Sequence, residues 1–197
     1  MTLHDPRFEM AMERIDAANR EDPNVEFEDG VACAKELLYS RRMSTWLARI
    51  APDASEAVRL AVRGQHLRRW ESPRSAYPMD RAGYHRWRTD LYRFHAECVG
   101  AILRDVGYDA DFIGQVQSII RKEGIKTNED TQLLEDVICL VFLESYFSEF
   151  ASRHDENKII TILRRTWKKM SARGHKEALA MSYAPEDLAL IQKALAE

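Results

Sequence analysis

The chain has 197 residues, 45% of them apolar, enough to build a sizeable core in one globular domain. Its formal net charge of -3 excludes the global basic field that draws a protein to nucleic acid. No apolar run approaches the ~20 residues of a membrane span. The longest, Val137 to Leu143, stops at Glu144.

Taken in order, the N-terminal stretch MTLHDPRFEM carries acids and lacks the apolar centre of a signal peptide. Asp5 followed by Pro6 is a helix start, a carboxylate cap and then Pro in the first turn. Phe8, Met12 and Ile15 follow at helical spacing, and the polar run Asn19 to Asn24 ends the helix. A second helix is expected over Glu28 to Arg49, with Leu37, Leu38, Met43, Trp46 and Leu47 largely on a 3.6 period and Arg41 and Arg42 on a solvated face. Asp53 or Ser55 caps a third helix that reaches His66 and Trp70. Pro73 breaks it, and Tyr77–Pro78 disfavours helix, so Arg74 to Asp80 is a loop.

A fourth helix runs from about Asp80 to Val106, with Gly107 as its C-terminal stop. Asp109 opens a fifth, ending at Gly124, and Lys126 to Asp130 is a polar connector. The sixth helix, Thr131 to Ala151, is the most apolar and is expected to be central. Asp155 opens a seventh, Gly174 marks a break, and Pro185 begins a short last helix. No stretch reads as a strand. The expected fold is all-α: one helical domain over 1–197, a bundle of about seven to eight helices, with a core at about 5–170 and a C-terminal helical extension at 175–197. Cys33, Cys98 and Cys139 are odd in number, widely spaced and embedded in apolar patterns. They read as reduced thiols in a cytoplasmic protein.

The chemistry concentrates in Arg63 to Glu97. That stretch holds three of the six His and two of the four Trp, is rich in Arg and contains no Lys. His66 and His95 are each expected inside a helix with apolar neighbours. Each reads either as a hydrogen-bonded member of a packed polar layer or as part of a site, with Gln65 and Glu97 available to fix a ring tautomer. Glu135 and Asp136 are adjacent acids within the most apolar helix. At least one must face a cation, a metal or a polar cleft, since an unpaired buried carboxylate costs several kcal/mol. Asp136 reads equally as a staple to an Arg of 63–97. Lys122 sits at a helix C-terminus, where a surface cation is common. Arg164, Arg165, Lys168, Lys169 and Arg173 form a basic helix end that reads chiefly as a solvated face, and nucleic acid is not the expected partner. Gly-rich phosphate loops, HExxH, CxxC and a nucleophile elbow are absent.

The strings ELLYSRRMSTWL, APDASEAVRLAVRGQHLRRWESPRSAYPMDRAGYHRWRTDLYRFHAE and LEDVICLVFLESYF resemble an uncharacterised domain-of-unknown-function family. Its bacterial and fungal members are often loosely labelled glutamyl-tRNA synthetase, although this chain carries no HIGH-like or KMSKS-like signature. A more distant resemblance, in the order of elements, is to the HD-domain phosphohydrolases, all-α proteins that bind one or two divalent metals. FHAECVGAILRDVGYDADFIGQVQSIIRKEG looks like that family's middle section and LLEDVICL like the segment carrying its last Asp. The resemblance implies metal-ligand types at His66, His95 and Asp136. Leu67, Lys122 and Arg41 or Arg42 stand where further ligands belong, and cations oppose a divalent ion.

Two functions follow as expectations. One is a hydrolase of a phosphate ester or nucleotide. His66, His95, Glu135 and Asp136 would do acid–base work, His66, His95 and Asp136 would hold one divalent metal ion if any, and Arg69, Arg74, Arg81, Arg88 and Lys122 would grip the phosphoryl group. The other is an HD-like module that binds a small anionic ligand or a protein partner without turnover. The Arg-only composition of 63–97 suits phosphate in both, because the guanidinium fork matches phosphate oxygens.

Overall fold

The computed structural model describes residues 5–125 and 127–196. The first four residues of the N-terminal stretch, and Lys126 at the head of the polar connector, lie outside the described residues. The chain is mostly helical and divides into two units, Met1–Thr131 and Gln132–Glu197. Among the described residues there are ten α-helices and one β-hairpin.

In the first unit α1 (Pro6–Arg20) begins as its sequence dictates, with Asp5 accepting from the Arg7 amide. A strand pair then appears where none was expected, β1 (Val25–Glu28) and β2 (Val31–Ala34), antiparallel with Val25 opposite Ala34 and Glu28 opposite Val31. The cause is the dipeptide Asp29–Gly30. Both residues have positive φ, 51° and 78°, as a two-residue hairpin turn with the right twist requires. Arg42, read from sequence as a solvated cation, pairs with Glu26 and Glu28 and ties the hairpin to α2 (Lys35–Ile50). The hairpin consumes the first turns of the helix expected from Glu28.

The nine-residue α3 (Glu56–Gly64) packs against α1, α2, α4 and α5 and is the hub of this unit. Ser55 caps it, accepting from the Val58 amide. Ala57, Val58, Leu60, Ala61, Val62 and Gly64 are all buried. Gly64 allows α4 close: a Cβ there would stand 2.4 Å from Val99 Cγ2. The helix stops at Gly64 instead of reaching Trp70. Residues 65–68 form turns, with Arg68 in the left-handed region at φ 56°. His66 is therefore on a turn, not in a helix. A single-turn 3-10 segment at each of Arg69–Glu71 and Arg74–Ala76 leads into α4 (Arg81–Asp105), capped by Asp80. Gly107, at φ 91°, ends it, and α5 (Ala110–Ile120) follows, capped by Asp109.

The expected sixth helix is three pieces in one run: α6 (Glu129–Val141), a π-helical turn at Phe142–Tyr146, and α7 (Phe147–Ser152). Leu134, Val137, Leu140 and Val141 are fully buried, as its composition demands. In the second unit α8 (Glu156–Lys169) starts at the Asp155 cap, α9 (Ala172–Ala180) follows, and α10 (Pro185–Leu195) packs on α7 and α8. Gly174 is not a break. It is buried in the first turn of α9, against the Asp136 carboxylate, and the break falls at Met170 and Ser171. No helix of the described residues is long and apolar enough to cross a membrane.

Candidate functional site

The site is built in the first unit, around the turn that follows α3. The start of α2 has no side-chain cap of its own, and Asp22 supplies one by accepting from the Glu36 amide at 3.0 Å. That fixes the first turn of α2 with the Glu36 side chain buried. Tyr39, three residues on, lies on the same face. Its ring stacks on His66 at 4.1 Å between centroids, and its hydroxyl donates to Gln65 Oε1 at 3.2 Å. Glu36 Oε2 lies 3.1 Å from His66 Nδ1. One helical turn thus holds the imidazole by its face and by one nitrogen.

His95 approaches from α4, its ring 5.7 Å from that of His66. Its Nδ1 sits 2.8 Å from the Leu67 carbonyl oxygen, an acceptor, so Nδ1 carries the proton and Nε2 keeps a lone pair. Nε2 is buried and has no hydrogen-bond partner among the described residues. Asn19 Oδ1 accepts from the Arg68 amide at 3.3 Å. The Leu67–Arg68 peptide is thereby held from both ends, which stabilises the left-handed conformation of Arg68.

That turn launches Arg69, whose guanidinium lies 5.0 Å from the Trp87 ring centroid and 3.7 Å from Glu36 Oε1. Trp87 is itself anchored, its indole N–H donating to the Ser72 carbonyl. Arg88, Tyr92 and His95 fall at i, i+4 and i+7 on α4, one stripe of the helix, and Arg88 donates to the Tyr92 hydroxyl. Lys122 follows α5 at φ 60° and places Nζ 5.2 Å from the Tyr92 ring centroid.

The electrostatics follow from this assembly. Burial holds His66 well below the ordinary imidazole range, and Arg69, Lys122, Arg88 and Lys35 push the same way, although about a fifth of its side chain stays exposed. Burial likewise brings His95 down to about 3, with His66 and Arg69 adding to the effect. Burial raises Glu36 to about 7, against the opposing pull of Arg69. At neutral pH the cluster therefore holds two uncharged imidazoles, a carboxyl group near its midpoint and several cations.

The family model described as Domain of unknown function (DUF4202) matches residues 9–191. The chain belongs to the DUF4202 family. The membership expected from its strings is thus established, and the match takes in every residue of the cluster. No curated protein and no solved structure matches the chain, so neither comparison supplies an HD-domain relative.

Of the residues singled out in this DUF4202 sequence, His66, His95, Arg69, Arg88 and Lys122 come together. Arg74 instead closes its own loop, donating to the carbonyls of Tyr77 and Asp80, and Arg81 is exposed at the start of α4. Gln65 holds Tyr39 and touches the site at one remove, and Glu97 is exposed. Glu135 pairs with Lys169 at 3.3 Å. Asp136 accepts from the Ser171 amide at 2.7 Å, from the Ser171 hydroxyl, and from Gln132 Nε2 at 3.0 Å. It pins the N-terminus of α9, a staple to a helix end in place of an Arg.

Among the described residues no group of three or more His, Cys, Asp and Glu is placed to hold a metal ion. The donor set around His66 and His95, ringed by Arg and Lys, fits a resident divalent ion poorly. Sequence reasoning missed Glu36 and Tyr39. The signal was present: Glu36 falls in register with Ser40, Met43 and Leu47 on the buried stripe of α2, where an acid needs a partner.

Proposed function

We propose that the first unit binds a small phosphorylated anion, a phosphate ester or nucleotide, and hydrolyses it with the Glu36–His66 pair. The observation that carries this reading is that Arg69 lies beside Glu36, and Arg88 and Lys122 over the Tyr92 ring, so that cations from three separate segments all bear on an imidazole 3.1 Å from a buried carboxyl. Each of these cations adds a favourable electrostatic contact to a phosphate dianion bound beside the ring.

The chemistry uses one shared proton. With Glu36 ionised, His66 donates from Nδ1 and presents the Nε2 lone pair as a base. With Glu36 protonated, the carboxyl donates to Nδ1 and His66 presents Nε2–H as an acid. In the first state Nε2 takes a proton from water as its oxygen forms the new P–O bond. The ester P–O bond breaks on the far side of phosphorus, the leaving oxygen takes a proton from solvent, and Nε2 releases its proton to solvent, which restores the pair. Arg69, Arg88 and Lys122 offset the charge that develops on the phosphoryl oxygens. An HD-like architecture stays part of this proposal, resting on the order of the helices.

Turnover of a panel of phosphate esters and nucleotides tests it, with His66→Asn and Glu36→Gln alongside the parent. Activity that falls about 100-fold or more in both variants, with intact circular dichroism, supports the assignment. Activity unchanged in either would sink it. The runner-up is a non-catalytic anion-binding module, favoured by the depressed basicity of both imidazoles. Under that reading nucleotides raise the melting temperature, by about 2.7 kcal/mol of added stability at 100 times Kd, without any turnover.

A further inference from the structure

His95 has a feature the hydrolytic scheme does not use. Its Nδ1–H is committed to the Leu67 carbonyl, and its opposite edge presents Nε2, buried and unpartnered among the described residues. Leaving a buried acceptor unsatisfied is costly, and such groups in folded proteins call for a specific explanation. The ring cannot relieve this by taking a second proton, because burial and the nearby Arg69 oppose a charge there. It can only accept.

The neighbours define what it accepts. His66 is partly exposed and His95 is only 1% exposed, so the imidazole pair runs inward from the surface. Arg88 and Lys122 act at the His66 end, and Arg69 acts on both rings. A ligand engaging both rings has an anion outside and a hydrogen donor inside. An ammonium donor would bring positive charge next to Arg69, whereas a hydroxyl brings none. We infer that His95 Nε2 is a specificity contact, accepting a hydrogen bond from a free hydroxyl on the alcohol part of a phosphorylated ligand. This rests on the anion-binding reading of the same pocket. It narrows the substrate class to phosphate esters of polyols, sugars included, over simple alkyl phosphates.

The test uses two non-hydrolysable probes that share a phosphonate and a four-carbon chain, butylphosphonate and 3,4-dihydroxybutylphosphonate. Isothermal titration on the full chain at pH 7.5 should show the dihydroxy probe binding about tenfold tighter or more, since only it satisfies the buried acceptor. His95→Asn keeps an N–H for the Leu67 carbonyl and removes Nε2, so it should bring the two probes to within about twofold. Equal binding of the probes by the parent protein would overturn the inference while leaving the anion pocket standing. So would a preference that survives in His95→Asn. If neither probe nor inorganic phosphate binds, the anion pocket itself is refuted, and this inference with it.

Discussion

The neutral state of His95 gives a quantitative test of the pocket's interior. The folded protein holds this ring at about 3, against an ordinary value of 6.5. Between those values the unfolded chain binds a proton that the folded chain refuses. The ring's contribution is therefore full above pH 6.5, falls with decreasing pH and is gone below about 3. At 1.36 kcal/mol per unit, lowering the pH from 7.5 to 4.5 runs about two units below the unfolded value and removes about 3 kcal/mol. Glu36 works in the opposite sense. Raised from 4.5 to about 7, it binds a proton more readily folded than unfolded, so its contribution is present below pH 4.5 and lost as pH climbs through 7. The two overlap between pH 4.5 and 6.5, and the parent's curve alone would hide both. The difference between the parent and His95→Asn isolates the imidazole. Urea unfolding followed by circular dichroism at pH 7.5, 6.5, 5.5 and 4.5 should show the parent losing about 3 kcal/mol relative to the variant. Nitrogen-15 NMR should find His95 protonated on Nδ1 down to pH 4.5. A difference that stays flat within about 0.5 kcal/mol, or an Nε2–H tautomer, would refute the assignment.

Other consequences are local. Gly64→Ala puts a methyl 2.4 Å from Val99 Cγ2 and should cost about 1–3 kcal/mol in a thermal melt, with Val99→Ala in the same chain recovering part of the loss. Asp136→Ala leaves the Ser171 amide and hydroxyl without their acceptor and should cost about 2–4 kcal/mol of stability while leaving phosphonate binding by the first unit unchanged. A loss of binding greater than threefold in that variant, with the fold intact, would restore Asp136 to the site.

The helix starts were legible because each is written in one short local signal. Asp5–Pro6, Ser55, Asp80, Asp109, Asp155 and Pro185 all open the helices they were expected to open. The hairpin was written as plainly, in Asp29–Gly30, but four-residue strands lie below the length at which alternation stands out against helical period. The pocket was half legible. A dense Arg and His stretch announced His66, His95, Arg69 and Arg88, because the chain returns on itself through a Pro-pinned loop. Glu36 and Tyr39 were not, since they meet His66 across 30 and 27 residues of chain. Arg74 was grouped with the others for a related reason: composition ranks all arginines alike, while the fold directs this one to the Tyr77 and Asp80 carbonyls.

Lys122 is where local preference and proposed function part company most clearly. The end of α5 is a Schellman turn, with the Glu123 amide donating to the Ser118 carbonyl and the Lys122 amide to that of Ile119. The left-handed residue of such a turn is ordinarily Gly, because a Cβ there meets the backbone. Here it is Lys, at φ 60°, and any L-residue other than Gly costs about 1 kcal/mol in that conformation. A surface cation at a helix end could be offered equally well one residue away at no such cost. Placement at this position is explained if the ammonium must reach the Tyr92 ring and the field around His66. Lys122→Gly should therefore raise stability by up to about 1 kcal/mol in urea unfolding while weakening binding of 3,4-dihydroxybutylphosphonate by about tenfold. Lys122→Ala should lose the binding without gaining the stability. If Lys122→Gly is stabilised and binds the probe as the parent does, the lysine is a helix-end charge, and the anion pocket loses one of its three cations.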